Sequence, residues 1–367
     1  MKALFLVITL SYLSLFPASF SLSAPSKRGL TLPPGFKIEV FASGLDKPRF
    51  MATSPDGVLF VTLIGSGKVV ALLDKDSDGR AEKTITYLKG LDSPHGIAFH
   101  DGYLYVGETH QVIRVRYSGT NNTPGTKEII VPNLPTGGHF TRTVGFGPDG
   151  RMYVSIGSSC NVCIEKDRRR ASIMRYSPDG TEGELYAEGL RNSVGISWHP
   201  ETGALWASDN GRDWLGDDLP PEEINIVIKG SHYGWPFCYG SRIPDPDLGK
   251  PAFCNTTEPP VFKMQAHSAP LGIAFYTGKM FPERYRGDLF VAFHGSWNRT
   301  EPTGYKVVRI RIDNNKPVSI KDFVSGWLRG HGARSRPVDV HIGKRGEMYI
   351  SDDRGGNIFI VTYEGAS

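Results

Sequence analysis

FMATSPDGVLFVTLIGSGKVVAL, Phe50 to Leu72, decides the fold. An apolar run stops at Pro-Asp-Gly, an alternating run follows, and a glycine-rich turn leads into a third apolar run. Short β-branched and aromatic runs bounded by such turns form antiparallel strands. The same unit returns in GIAFHDGYLYVGETHQVIRVRY (Gly96 to Tyr117) and in TVGFGPDGRMYVSIGSS, whose outer strand is ASIMRYSPDG (Thr143 to Gly180). It returns again in GISWHPETGALWASDNG, ending in EINIVIKG (Gly195 to Gly230), and in GIAFYTGKMFPERYRGDLFVAFHGS continued by YKVVRIRI (Gly272 to Ile312). The last copy is VDVHIGKRGEMYISDDRGGNIFIVTY, Val338 to Tyr363. Turn glycines recur at Gly57, Gly102, Gly150, Gly203, Gly287 and Gly346, on average about 58 residues apart, which suits a four-stranded propeller blade with insertions. Six copies imply an all-β, six-bladed β-propeller. FKIEVFA, Phe36 to Ala42, alternates like a strand and precedes the first copy. It is expected to complete the last blade and close the ring, leaving no exposed sheet edge. Two packed β-sandwiches are the alternative, but they leave the recurrent unit unexplained.

Composition agrees. Among 367 residues, 43 Gly and 26 Pro are too many breakers for a helical bundle, while 39% apolar residues and a net charge of +4 exclude disorder. Lys and Arg are scattered among acids, which argues against a nucleic-acid face. Lys2 precedes an apolar run from Ala3 to Phe16, then Pro17 and small residues to Ala24. That run falls short of the ~20 residues a membrane span needs. Residues 1–23 therefore read as a signal peptide and 24–367 as one propeller domain, exported to the medium or periplasm without a transmembrane anchor. Export permits two local disulfides, Cys160 with Cys163 and Cys238 with Cys254, the simplest of three pairings. A zinc site of four thiolates is the competing arrangement.

Propellers carry ligand chemistry on loops at one end of the central channel, so the residues flanking each first strand matter most. His139 in GGHFTRTVGFGPDG lies behind two glycines, where a neutral imidazole suits a general base and equally a hydrogen-bonded loop residue. Arg191 and Asn192 in GLRN offer forked donors to an anionic or carbonyl-rich ligand, or a bridge between blades. ASDNGRDWLGDDLPPEEIN gathers Asp209, Asp213, Asp217 and Asp218 around Gly211, as a hard cation or a solvated loop would require. Arg299 in HGSWNR, with Arg334 and Arg336 in GARSRPVDV, brings cations from further blades and suggests a polyanionic small ligand. Asp74, Asp76, Asp78, Gly79 and Glu82 spell a D-x-D-x-D-G calcium-loop pattern, with Ile85 where an EF-hand has its twelfth-position Glu. A plain charged turn is the alternative. Phosphate-loop, nucleophile-elbow and zinc-helix motifs are absent.

Taken together, His139 with GPDG beyond it, GLRN, DNG-R leading to EIN and HYGWP, and RSRPVDV resemble the soluble pyrroloquinoline quinone (PQQ)-dependent sugar dehydrogenases. SSCNVC, GWP, HGSWNR and SDD bring the chain nearest the sorbosone dehydrogenase branch and the fungal pyranose dehydrogenases, over roughly Leu32 to Tyr363. The resemblance implies a six-bladed propeller and PQQ and calcium as cofactors. It makes His139 the catalytic base. By the same resemblance Arg191 and Asn192 are expected to contact the PQQ carbonyls, with Arg191 also stabilising charge in the reaction. Carbonyls of Gly211 and Arg212 are expected to hold calcium, and Arg336 and, less directly, Arg299 to meet cofactor carboxylates. It further implies a sugar substrate and an external electron acceptor such as a soluble cytochrome or quinone. Two positions depart from the glucose-oxidising relatives: Ser158 replaces the Asp that orients the catalytic His, and Gly138 replaces an Asp that touches sugar. A sugar other than glucose is therefore expected. A non-redox carbohydrate-binding propeller and a calcium-dependent lactonase are the rival functions.

Overall fold

The computed structural model describes residues 29–121 and 123–365, so the expected signal peptide lies outside the described residues. Six four-stranded antiparallel sheets form the blades of a propeller. Their innermost strands are Pro48–Thr53, Ile97–His100, Arg142–Phe146, Ile196–Trp198, Pro270–Phe275 and Pro337–Ile342, each packed beside the next around the channel. The ring closes as the sequence predicts. Phe36–Ala42 pairs antiparallel with Asn357–Tyr363, from Phe36 opposite Tyr363 to Ala42 opposite Ile358. Its aromatic anchor is Phe36, whose ring meets Phe281, Tyr285, Phe323 and Tyr363 at 4.7–5.0 Å.

The Gly-Ile that opens three repeats has a packing reason. A Cβ on Gly96 would stand 2.4 Å from the Arg142 carbonyl oxygen, one on Gly195 2.1 Å from that of Leu271, and one on Gly272 2.1 Å from Asp339 Oδ1. Only glycine lets each inner strand lie so close to the next blade. Apolar side chains fill the clefts between blades; Trp206, Phe60, Phe290 and Phe293 are essentially inaccessible. Burial of this kind is worth roughly 1.5–3 kcal/mol per large side chain.

The outer strands of five blades, Lys83–Lys89, Glu128–Val131, Glu184–Glu188, Phe262–Met264 and Lys316–Val324, escape the sequence pattern, and Ser172–Tyr176, expected as the outer strand of blade three, is its third. Blade five ends in Lys316–Val324, KPVSIKDFV, whose alternation is half polar because one face meets water. Blade four takes its fourth strand from Phe262–Met264, after an insertion holding the short helix Pro251–Cys254 and a Cys238–Tyr239/Ile243–Pro244 ribbon. The Cys238–Cys254 disulfide staples that insertion, and Cys160–Cys163 is likewise formed, so the described cysteines make the two local pairs expected from spacing. Among the described residues, no helix is long and apolar enough to cross a membrane.

Candidate active site

Chain direction alternates from strand to strand. The loops entering each inner strand and those joining second to third strands therefore share one end of the ring. His139 comes from a loop of the first kind and Ser158 from one of the second. The imidazole Nδ1 lies 3.0 Å from both the Ser158 carbonyl oxygen and Ser158 Oγ. A carbonyl only accepts, so Nδ1 carries the hydrogen and Nε2 is the unprotonated nitrogen. Ser158 Oγ donates onward to the Cys160 carbonyl at 2.7 Å. Gly157 makes room for this packing: a Cβ there would lie 2.5 Å from Asn192 Oδ1 and 2.7 Å from His139 Cβ. Gly138 is equally constrained. A Cβ on it would meet the Ser159 backbone at 2.4 Å, so an Asp has no space at this position.

Two arginines with no motif of their own brace the histidine loop. Arg142 donates to the carbonyls of His139 at 3.0 Å and Thr141 at 2.7 Å, and Arg170 donates to Gly157 O at 3.2 Å and to Thr136 O. Burial above all, then the Arg191 charge, with Arg170 and Arg142 in the same sense, push the His139 imidazole down to about 3. It is neutral at any physiological pH.

Arg191 lies at the entry to blade four. Its guanidinium donates to Gly211 O at 2.7 Å, Asn210 O at 3.3 Å, and Asn161 O and Oδ1 at 3.0 Å each, with Asp213 at 3.4 Å. Asn161 sits inside the Cys160–Cys163 loop, which thereby anchors Arg191. The four aspartates of the following segment do not converge on Gly211. Asp209 is fully buried and accepts from the Arg191 and Asn192 backbone and Ser193 Oγ, while Asp217 and Asp218 accept from Arg299. Arg299 thus ties the loops of blades four and five together. Arg212 points its side chain at Asp245 and Asp247, 2.8 Å from each.

Arg336 reaches the same end from blade six, donating to His294 O at 3.0 Å and Gly295 O at 2.6 Å. Arg334 instead lines a separate cavity of about 530 Å³ with Trp327 and Arg329. A second histidine stands near Arg336: His294 Nε2 lies 3.0 Å from Asp353, which also receives Arg49 Nη1 at 2.6 Å. Arg49, His294 and Asp353 were not foreseen. Nor were Trp214 and Trp297, 67% and 65% exposed, whose rings meet edge to face at 5.2 Å on the loops of blades four and five.

Three polar groups of this rim have no hydrogen-bond partner among the described residues: His139 Nε2, the Asn192 side-chain amide and Arg336 Nη1. A base, an amide and a cation available together fit a carboxylated, carbonyl-rich cofactor. For calcium, the Arg212 carbonyl is similarly available, whereas Gly211 O already accepts from Arg191. Asp74, Asp76 and Asp78 do not belong to this site. They lie on a turn between third and fourth strands, which antiparallel geometry puts at the opposite end of the ring.

The TrAA12-like profile matches residues 30–364. The chain belongs to this family. A PQQ-dependent sugar dehydrogenase of Hypocrea jecorina is 28% identical over 89% of this chain and 88% of its own. An aldose sugar dehydrogenase of Escherichia coli is 30% identical over 63% of this chain and 62% of its own. Among solved structures, the calcium form of the Trichoderma reesei family AA12 enzyme superposes with a TM-score of 0.79 at 25% identity, covering 95% of this chain and 99% of that one. The PQQ domain of Coprinopsis cinerea pyranose dehydrogenase gives the same TM-score at 22% identity over 92% and 98% of the two chains, a likeness of fold. The TrAA12-like assignment thus agrees with the resemblance carried by GLRN, GWP and RSRPVDV.

Proposed function

We propose that this chain is an exported PQQ-dependent dehydrogenase that oxidises a CH–OH group of an aldose, pyranose or related sugar aldehyde and passes electrons to an external acceptor such as a soluble cytochrome or quinone. The observation that carries this is a neutral histidine with its Nδ1 committed and its Nε2 available, inside a rim of arginines. When bound, PQQ would supply an electrophilic quinone able to accept two electrons as hydride, and three carboxylates.

The chain's own residues have separable tasks. His139 Nε2 takes the hydroxyl proton as the substrate C–H bond gives up its hydride, so that alcohol becomes carbonyl with one proton and one hydride removed. Ser158 holds the ring in the productive tautomer. Arg191 and Asn192 would contact the cofactor's carbonyls, with the Arg191 charge stabilising negative charge there. Arg336 and Arg299 would balance carboxylates, and the carbonyls of Gly211 and Arg212 would hold a calcium ion. An anionic ligand would offset the Arg191, Arg170 and Arg142 charges, which after burial lower His139. Trp214 and Trp297 present aromatic faces at the rim on which a sugar ring can rest.

The test is titration of apoprotein with PQQ and calcium, followed by dye-linked oxidation of a sugar panel. The expected outcome is saturable PQQ binding and sugar-dependent dye reduction. Absence of PQQ binding rejects the proposal in favour of a non-redox carbohydrate-binding propeller. Lactone hydrolysis without PQQ points to the calcium-dependent lactonase.

A further inference from the structure

We propose that the turn Asp74 to Glu82 is a calcium site, on the end of the propeller opposite His139, and that the bound ion locks the seam between the first and last blades. The turn joins Lys68–Leu73 to Lys83–Lys89 in blade one. One carboxylate oxygen each from Asp74, Asp76, Asp78 and Glu82 can be chosen so that all lie within 4.8 Å of one another. Four carboxylates so close repel one another, and a cation among them relieves that repulsion.

Burial supplies the independent observation. The Asp74 side chain is only 9% exposed, and its Oδ1 is buried with no hydrogen-bond partner. Arg345 and Gly79 N meet the other oxygen, Oδ2, so the cost of burial falls on Oδ1. The sibling oxygens are engaged: Asp74 Oδ2 accepts from Gly79 N at 3.2 Å, Asp76 Oδ1 from Asp78 N at 3.2 Å, Asp78 Oδ1 from Arg80 N at 2.8 Å and Glu82 Oε2 from Lys75 N at 2.9 Å. Each acid therefore uses one oxygen to shape the turn and has the other without a hydrogen-bond partner among the described residues. Gly79, with φ +86°, makes the sharp bend that a D-x-D-x-D-G loop needs at its sixth position. Glu82, at the ninth position, replaces the twelfth-position Glu that Ile85 cannot supply. An all-oxygen, multiply anionic set without Cys or His selects a hard cation, and its irregular, flexible spacing suits calcium over magnesium.

The location gives the ion something to do. Ala81 N donates to Phe41 O at 2.8 Å, on the ring-closing strand. From blade six, Arg345 reaches Asp74 Oδ2 and the Ser77 carbonyl, 3.4 Å from each. The turn thus touches both sides of the closure, whose two strands come from opposite ends of the chain. Ordering it favours the closed ring.

The experiment uses the whole mature protein, free of PQQ and stripped with chelator. Calcium is titrated calorimetrically into the wild type and into an Asp76→Asn/Asp78→Asn variant; both positions are exposed, so folding is not at risk. The wild type is expected to bind one more calcium than the variant, with a Kd of about 10⁻⁴–10⁻³ M or tighter. Calcium at about 5 mM should raise the wild-type Tm by roughly 2–5 °C and leave the variant unmoved. Equal stoichiometry in the two proteins overturns the site. An equal Tm rise in the variant, or the same rise with sodium chloride of matched ionic strength, overturns it too by exposing mere charge screening. A wild type that binds the extra ion without gaining Tm overturns the seam lock. No PQQ is present, so the result stands apart from the dehydrogenase assignment.

Discussion

Two histidines face the same rim and are held in opposite ways. His139 rests against a neutral carbonyl and a hydroxyl, with arginines around it, and burial plus those charges bring it to about 3. His294 is also lowered, by burial first, but it shares Asp353 with Arg49. Burial alone would raise Asp353; His294 and Arg49 together outweigh it and bring that carboxyl to about 2. The lesson concerns acid–base design. A carboxylate partner makes His294–Asp353–Arg49 a structural clamp across blades five, six and one. The carbonyl partner leaves His139 without a counter-charge.

Exchanging the two histidines should separate them most sharply. His139→Gln in the PQQ-loaded protein is expected to lower kcat/KM by about 10²–10⁴ while PQQ still binds, the usual range for a lost general base. His294→Gln should stay within about tenfold. The reverse ranking would make the His294–Asp353 pair the base. On stability the order inverts. Asp353→Ala strands the Arg49 charge, whose side chain is 7% exposed, and should cost about 3–5 kcal/mol in denaturant unfolding. A His139→Gln protein should unfold near the wild-type midpoint at neutral pH.

Acid titration reads the same contrast more gently. His139 and His341, held at about 3 and about 4, take up protons in the unfolded chain near pH 6.5 but not in the folded one. The unfolded state then binds more protons between roughly pH 4 and 6.5, so this contribution to stability is complete above that window and falls as pH drops through it. The slope should be shallower in His139→Gln. Smaller still is Ser158→Ala: the carbonyl keeps the tautomer, and kcat should fall by no more than about fivefold, with no rise in the dye-linked KM. A loss of a hundredfold would mean that the hydroxyl, not the carbonyl, orients the ring.

Much of this was legible because it is local. Asp-Gly turns, alternation and the Gly-Ile starts identify every inner and second strand. Phe36–Ala42 could be assigned to the last blade because closure needs one more strand and FKIEVFA was the unclaimed one. The strands missed are the outer ones of blades one to five, Phe262–Met264 and Lys316–Val324 among them, where one face meets water and the hydrophobic signal weakens. In the site, His139, Arg191 and Arg336 stood beside inner strands and were found there. Arg142 and Arg170 were passed over because arginines that donate to backbone carbonyls leave no motif.

The sequence alone determined six turn-and-strand units, the strand that closes them and a rim rich in arginine, since each depends on neighbours a few residues apart. Only tertiary structure decided which cation meets which acid. Arg49 finds Asp353 across 304 positions, and Arg299 holds the loop of Asp217 and Asp218. It also sent Gly211 and Asp74 to opposite ends of the ring, because strand direction reverses between their turns. Long side chains choose partners by distance in space, and that distance exists only once the ring has closed.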